Sequence, residues 1–287
     1  MFLNPQEFME IPQKVVVLLG MSGVGKTSLA RKLVGDGWFH YSIDYRIGSH
    51  YMKEYIDNYF KKEAMKLPAL NALVTEQCFD FDARVNIDNL TALTSYLGKL
   101  GSSRRGGISF DEYQRRQRQH RSAEVNAVLD TACFVEKAHG IYGCTHVLCD
   151  MSGSFCEIVD PSNQNDPILT ALAKQAVFLY IHSSEEHSEH LQEVFAQDPK
   201  PLYYHEKFLY KSWAEYIALK GEKAEDVDPD DFMKWSYAAL LSWRTPKYEK
   251  IAENWGYTTD IESIRSVTTE EDFTNIVVKA IAASSRE

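Results

Sequence analysis

Four short runs of β-branched and aliphatic residues, separated by longer segments of helical pattern, organise the chain. The runs occupy residues 14–19, 38–43, 145–150 and 176–181. Runs this short suit strands better than helices, and the first and fourth show no alternation with polar residues. Such strands are typical of a parallel sheet that is buried on both faces. The order of elements therefore predicts a three-layer α/β fold with a parallel β-sheet and helices between the strands.

A glycine-rich segment directly follows the first predicted strand. Residues 20–27 have the sequence GMSGVGKT, which matches G-x-x-x-x-G-K-[ST], and the helical pattern SLARKLV follows. Glycines at 20, 23 and 25 allow a tight turn whose backbone N–H groups point inward, and the following helix adds the positive end of its dipole. The segment therefore predicts the phosphate-binding loop of a P-loop NTPase, and it is called the P-loop below.

The P-loop residues predict specific roles toward a nucleotide. Lys26 is expected to reach the β and γ phosphates, and the Thr27 hydroxyl is expected to bind Mg²⁺. ATP and Mg²⁺ are accordingly the expected cofactors. The expected nucleotide-binding residues are Gly20, Ser22, Gly23, Val24, Gly25, Lys26, Thr27 and Ser28.

Two carboxylates follow later predicted strands. Asp44 comes after the second strand, which we expect beside the first, and its carboxylate could accept the proton of an attacking hydroxyl. The alternative for Asp44 is an N-cap of the next helix. Asp150 ends the third strand and is a candidate magnesium ligand; the alternative is a loop carboxylate with no metal role.

Histidine and cysteine patterns point to no second site. His182, His187 and His190 lie near the capping-box pattern Ser183-x-x-Glu186, but no carboxylate or cysteine completes a metal set, so solvent-exposed histidines are expected. The five cysteines are an odd number without paired metal spacing, which indicates buried free thiols.

Composition narrows the protein class. The chain has 287 residues, 44% hydrophobic and 25% charged, and its longest aliphatic run of five residues is too short to span a membrane. Its start lacks the pattern of a signal peptide, which predicts a cytoplasmic protein. A net charge of -10 and a pI near 5.4 make nucleic acid an unexpected partner.

Motifs in the last third add a family resemblance. Lys200-Pro201-Leu202 is followed by the segment RTPKYEKIA at 244–252 and by YTTD at 257–260. With the P-loop and Asp44, this order resembles shikimate kinase over about residues 12–60 and 143–284. The resemblance implies that Asp44 is a substrate-binding carboxylate, with Arg46 close by, and that Arg244, at a helix start, binds an anionic substrate group.

Departures from that family pattern argue against shikimate itself. Ser42 stands where the family has an aspartate, and Met151-Ser152-Gly153 replaces its triple-glycine turn. The expected lid arginine has no counterpart between His205 and Lys234. We therefore expect phosphoryl transfer to another small, anionic hydroxyl compound.

A surplus of about 80 residues predicts a helical insert. The expected kinase core is 1–60 and 141–287, and the expected insert is 61–140, with a long helix expected from Ser109 to His139. Six of the chain's twelve arginines lie here: Arg104, Arg105, Arg115, Arg116, Arg118 and Arg121. They could bind substrate carboxylates or phosphates, or form a solvated helix face.

Within the insert, Arg104 and Arg105 adjoin Gly101, Gly106 and Gly107, which predicts a hinged, substrate-binding clamp. Together these patterns predict an ATP-dependent kinase that acts on a small anionic alcohol. The alternatives are a nucleotide-dependent regulatory switch and a polynucleotide kinase that uses the arginine-rich insert.

Overall fold

The strands form the sheet that the sequence predicts. The computed structural model describes residues 2–284, and in this part of the chain five strands make one parallel sheet of order β2-β3-β1-β4-β5. The strands are β1 (Val15–Leu19), β2 (Trp38–Ser42), β3 (His146–Asp150), β4 (Val177–His182) and β5 (Gly256–Asp260). The predicted fold class, a three-layer α/β P-loop fold with additional helices, is confirmed.

Helices connect these strands. The helices are α1 (Pro5–Glu10), α2 (Lys26–Leu33), α3 (Ile43–Arg46), α4 (Lys53–Met65), α5 (Pro68–Thr75), α6 (Thr91–Leu97), α7 (Phe110–Leu129), α8 (Thr131–Gly140), α9 (Pro167–Ala173), α10 (Glu185–Gln197), α11 (Glu206–Lys220), α12 (Pro229–Trp255), α13 (Ile261–Ser266) and α14 (Glu270–Ala283). No helix among the described residues is long and apolar enough to cross a membrane.

The centre of the sheet is the core of the fold. Every residue of β1 and of β3 is buried, because helices cover the sheet. Helices α2 and α8 contact β2 and β3. Helix α13 contacts β4 and β5, and α14 contacts β5. This burial explains the continuous aliphatic sequence of β1, since the apolar side chains on both faces of the strand are removed from water.

The strand order corrects one expectation. We expected β2 beside β1, but β3 lies between them and pairs with both. The carboxylate next to the end of β1 is therefore Asp150, which is in register with Leu18 on one side and with Ser42 on the other. Asp44 follows the last residue of β2, at the edge of the sheet.

Two compact units make up the described chain. The first contains residues 2–43, 124–198 and 236–284, including the sheet, and the second contains Asp44–Ala123 and Pro199–Trp235. The second unit thus begins before the predicted insert and takes in a later segment, while residues 124–140 belong to the first. The insertion of 61–140 into a kinase core stays a prediction, because a compact unit need not be an inserted segment.

Close packing in the second unit argues against a hinge at Gly101 and Gly107. The Ser102 N–H donates to the Val227 carbonyl at 2.8 Å, and a Cβ on Gly101 would lie 2.8 Å from that same oxygen. A Cβ on Gly107 would lie 2.7 Å from the Gly101 carbonyl oxygen. Glycine is needed here because two backbones approach closely, which fixes the turn and does not loosen it.

Three predicted helix boundaries change. The helix expected from Ser109 to His139 is two helices, α7 and α8, with Asp130 between them. The N-cap of α10 is Ser184, one residue later than expected, and its hydroxyl accepts from the His187 N–H. Arg244 lies inside α12 and not at a helix start, and Pro246 lies within the same helix.

The cysteines are only partly buried, contrary to the expectation. Cys149 and Cys156 are buried, whereas Cys78 and Cys133 are exposed and Cys144 is half-buried. Burial raises the pKa of the Cys149 and Cys156 thiols to about 12, so both stay protonated at neutral pH.

Truncation of the central strand should be costly. Leu18 is fully buried, so Leu18→Ala should lower the free energy of unfolding by about 2–5 kcal/mol through lost transfer energy and a cavity. The matched control is Leu219→Ala, because Leu219 is 67% exposed and its truncation should cost less than about 0.5 kcal/mol. Urea unfolding measures both, and equal losses would contradict this description of the core.

A candidate nucleotide-binding site

The P-loop joins β1 to α2 through a turn that contains three glycines with positive φ. Gly20, Gly23 and Gly25 have φ values of 140°, 92° and 94°, a region that side-chain-bearing residues rarely occupy. The N-cap of α2, Gly25, has no side chain to satisfy the first N–H groups of the helix. These donors, together with the helix dipole, make the loop suitable for binding an anion.

Lys26 is held inside the loop. Its side chain is buried, and its Nζ donates to the carbonyl oxygens of Gly20 at 2.8 Å and Met21 at 2.9 Å. The ammonium charge therefore lies within the turn that the three glycines form. This is where a phosphate chain would need a cationic partner.

Thr27 and Asp150, the two predicted magnesium ligands, are in direct contact. Thr27 Oγ1 donates to Asp150 Oδ2 at 2.6 Å, and the Asp150 side chain is buried. The contact exists because Asp150 ends β3 in register with β1, whose end leads into the P-loop. A hydroxyl and a carboxylate are hard oxygen donors of the type that Mg²⁺ accepts alongside phosphate oxygens and water, so the residues present fit this ion.

His40 was not identified by the sequence analysis. Its Nε2 lies 3.4 Å from the same Asp150 oxygen that Thr27 contacts, and its side chain is almost fully buried. The parallel register of β2 and β3 brings the two residues together. A histidine within a strand of mixed composition gave no signal for this contact in the one-dimensional pattern.

The turn after β3 lies directly against the P-loop. We call residues 151–154 the β3 turn. A Cβ on Gly153 would lie 2.3 Å from Ser22 Oγ and 2.9 Å from the Ser22 backbone nitrogen. Only glycine leaves room for this approach, so the β3 turn defines one wall of the P-loop.

A buried carboxylate holds the β3 turn. Glu124 is fully buried and accepts hydrogen bonds from the hydroxyls of Ser152 and Ser154, the latter at 2.9 and 3.0 Å to its two oxygens. The Tyr248 hydroxyl donates to the Ser152 carbonyl at 3.2 Å. The sequence pattern did not identify Glu124 as a site residue, because a single acidic residue in a predicted charged helix is usually solvated.

Arg244 is a buried partner of the same turn. Its Nη1 donates to the Gly153 carbonyl and its Nη2 to Glu157 Oε2, both at 3.0 Å, and the Glu157 side chain is fully buried. Burial opposes the guanidinium charge, but the carboxylate of Glu157 outweighs it, and the pKa of Arg244 is raised. Arg244 therefore neutralises Glu157 and fixes the β3 turn; its predicted contact with a substrate stays a prediction.

The predicted acceptor residues Asp44, Arg46, Arg104 and Arg105 belong to the second unit. Asp44 is in the first turn of α3, and the Arg46 guanidinium carbon lies 5.3 Å from the Tyr51 ring centroid. Arg105 pairs with Asp228 at 3.3 Å, whereas Arg104 is exposed and makes no ion pair within residues 2–284. Their roles stay predictions.

Most of the clustered arginines have acidic partners. Glu112 pairs with Arg115 and Arg116, and the hydrogen bond from Arg115 is the main cause that lowers the pKa of Glu112 to about 2. Arg118 pairs with Glu206 at 2.7 Å. Arg121 has no such partner within the described chain.

Arg121 lines a small cavity in the second unit. The cavity has a volume of about 70 Å³, enough for a small anionic group. Its lining residues are Gln114, Gln117, Arg118, Arg121, Tyr203, Tyr204, His205, Glu206 and Leu209.

Comparison with known proteins adds a remote likeness. No protein-family model and no curated protein sequence matches this chain. The chain is similar to a shikimate kinase from Bacteroides thetaiotaomicron, solved as a 1.7 Å crystal structure, with 13% identity and a TM-score of 0.35. The match covers 93% of this chain and 95% of that one. A likeness at this level carries no argument about activity, which must come from the residues of this chain.

Loss of one partner of the buried Arg244–Glu157 pair should destabilise the fold. Arg244→Met would leave the buried Glu157 carboxylate without its guanidinium partner, with the Lys247 ammonium 3.9 Å away, and should lower the free energy of unfolding by about 3–5 kcal/mol. In the double variant Arg244→Met/Glu157→Leu the loss should be smaller than the sum of the single losses. A double-mutant cycle by urea unfolding tests this; additive losses would disprove the pairing.

Proposed function

We propose that the protein is an ATP-dependent kinase that transfers the γ-phosphoryl group to a hydroxyl of a small anionic metabolite. One observation carries the proposal: the P-loop, with Lys26 inside it, lies beside the Thr27–Asp150 pair at the carboxyl ends of adjacent parallel strands. Ligands of open α/β sheets bind at this edge, and phosphate, ammonium and divalent cation are the components that phosphoryl transfer requires.

The P-loop residues of this chain supply the phosphate contacts. Backbone N–H groups from residues 20–27 and the start of α2 bind the triphosphate oxygens. Lys26 exchanges its two carbonyl partners, Gly20 and Met21, for the β and γ phosphates. Its charge then balances the negative charge that develops on the transferring group.

Thr27 and Asp150 hold Mg²⁺ in this proposal. When bound, this ion neutralises phosphate charge and orients the γ-phosphoryl group. The hydrogen bond between the two residues keeps their oxygens close together, so little side-chain rearrangement precedes metal binding.

The acceptor part of the proposal involves the second unit. Asp44 orients the acceptor hydroxyl and takes its proton, while Arg46, Arg104 and Arg105 bind the negative group of the acceptor. Arg121 lines a cavity and has no acidic partner within residues 2–284, which supports an anionic acceptor. Arg244 contributes as the residue that fixes the β3 turn against the P-loop.

Arginine pairing disfavours the polynucleotide alternative. Of the six clustered arginines, Arg105, Arg115, Arg116 and Arg118 are in ion pairs with Asp228, Glu112 and Glu206. Nucleic-acid affinity comes mainly from unpaired cations that replace counterions on the phosphates. The regulatory-switch alternative differs in its product, because a switch forms no phosphorylated metabolite.

The decisive experiment looks for a phosphorylated product. The protein is incubated with ATP, Mg²⁺ and fractionated metabolites, and mass spectrometry searches for a compound that gains one phosphate. Lys26→Ala is the control and should reduce turnover by about 10²-fold or more, with an unchanged unfolding midpoint, because it removes the charge partner of the phosphates. ATP hydrolysis without any phosphorylated product would favour the switch, and unaltered turnover in Lys26→Ala would refute the P-loop assignment.

The contact between Gly153 and Ser22 gives a separate prediction. Gly153→Ala should weaken nucleotide affinity by about tenfold or more, because the new Cβ displaces Ser22 and the N–H groups beside it. Adding Ser22→Ala removes the hydroxyl that lies 2.3 Å from that Cβ and should restore part of the affinity. Calorimetric titration with ADP measures both variants; no loss in Gly153→Ala would show that the β3 turn does not shape the P-loop.

A further inference from the structure

One face of α10 packs against the tip of the P-loop. A Cβ on Gly23 would lie 2.5 Å from Leu191 Cδ2, so this leucine lies in tight contact with the loop. His187 precedes Leu191 by four residues and therefore shares its helical face. The His187 ring is buried and lies close enough to the Gly23 backbone for that backbone to raise the pKa of the ring. The expectation that this histidine is solvent-exposed is therefore wrong.

His187 also contacts α13. The Arg265 Nη2 lies 3.3 Å from His187 Nδ1, so the guanidinium donates to an unprotonated ring nitrogen. His187 Nε2 is buried and has no hydrogen-bond partner within residues 2–284. The ring thus connects the element after β5 with the P-loop, and it makes its contact with Arg265 only as a neutral imidazole.

The groups that face this ring disfavour its charged form. Burial is the main cause that lowers the pKa of His187, and the charges of Arg265 and His190 lower it further. The Gly23 backbone and the carboxylate of Glu262 act in the opposite direction. His187 is therefore neutral at pH 7 and becomes protonated only under more acidic conditions.

We propose that His187 is a positioning residue for the P-loop, and that its protonation weakens nucleotide binding. This inference rests on the proposed nucleotide-binding function. An imidazolium at this position loses the hydrogen bond from Arg265 and is repelled by it at 3.3 Å. The ring is then displaced, and the Leu191–Gly23 contact on the same helical face is disturbed with it. The P-loop N–H groups depend on this contact for their arrangement around the phosphates.

Thermodynamic linkage makes the proposal measurable from both sides. If protonation of His187 weakens nucleotide binding by a given factor, nucleotide binding must disfavour protonation by the same factor. A bound nucleotide must therefore lower the pKa of His187 further. A residue with a merely structural role would show no such reciprocity.

The experiment measures ADP affinity by calorimetry between pH 5 and pH 8, with Mg²⁺ present. His187→Gln keeps a hydrogen-bonding side chain but cannot be protonated, and His190→Gln is the matched control, because His190 is exposed on the same helix. Relative to His187→Gln, the wild-type protein should lose about fivefold or more of its affinity on acidification. The His190→Gln variant should keep the loss of affinity on acidification, with its midpoint at slightly higher pH, because one charge that lowers the pKa of His187 is gone.

An NMR titration of the wild-type His187 ring, with and without ADP, keeps the test valid even if His187→Gln does not fold. The His190→Gln spectrum helps to identify the His187 signal. A lower His187 pKa in the ADP complex supports the proposal. An unchanged pKa, or equal pH profiles for the wild type and His187→Gln, overturns it while leaving nucleotide binding intact. Absence of ADP binding at every pH overturns the proposed function as well.

Discussion

The parallel pairing of β1 with β3 is the constraint on which the candidate site depends. This register places Asp150 beside Leu18, at the edge where β1 turns into the P-loop. Thr27, in the first turn of the following helix, then lies within 2.6 Å of the Asp150 carboxylate. A shift of one residue would direct alternate side chains to the opposite face of the sheet and separate this pair. Backbone pairing therefore places the two side-chain oxygens of the proposed magnesium site next to each other.

A layer of buried polar groups supports that edge of the sheet. Glu124 accepts from two serine hydroxyls of the β3 turn, and Arg244 donates to the Gly153 carbonyl while it neutralises Glu157. Buried charges are costly unless they are paired and hydrogen-bonded, so such groups gain little for stability over apolar residues. What they provide here is a fixed position for Gly153 against Ser22. In a phosphate site, fixed donors matter because they need no rearrangement when the transition state forms.

Charge pairing separates the two kinds of arginine in this acidic protein. Arg244 and four of the clustered arginines carry carboxylate partners, whereas Arg104 and Arg121 have no ion pair in the described part of the chain. A guanidinium already bound to a carboxylate must give up that partner before it binds a substrate anion. Unpaired arginines incur no such cost, and this is why Arg121 supports the proposal of an anionic acceptor more strongly than its paired neighbours.

The sequence alone determined the class of fold and the phosphate loop, because both depend on local patterns. Short hydrophobic runs and the spacing of glycines, Lys26 and Thr27 are visible in one dimension, and the structure has the predicted strands and P-loop geometry. Strand order was not predictable in this way, and the expected adjacency of β1 and β2 was wrong. The neighbours of Asp150, Arg244 and Gly23 were not predictable from the sequence either. His40, Glu157 and His187 reach them from distant positions along the chain, and only tertiary packing decides which of many compatible side chains meet. Long-range contacts depend on the order of the strands and the packing of whole elements, which local sequence pattern does not specify.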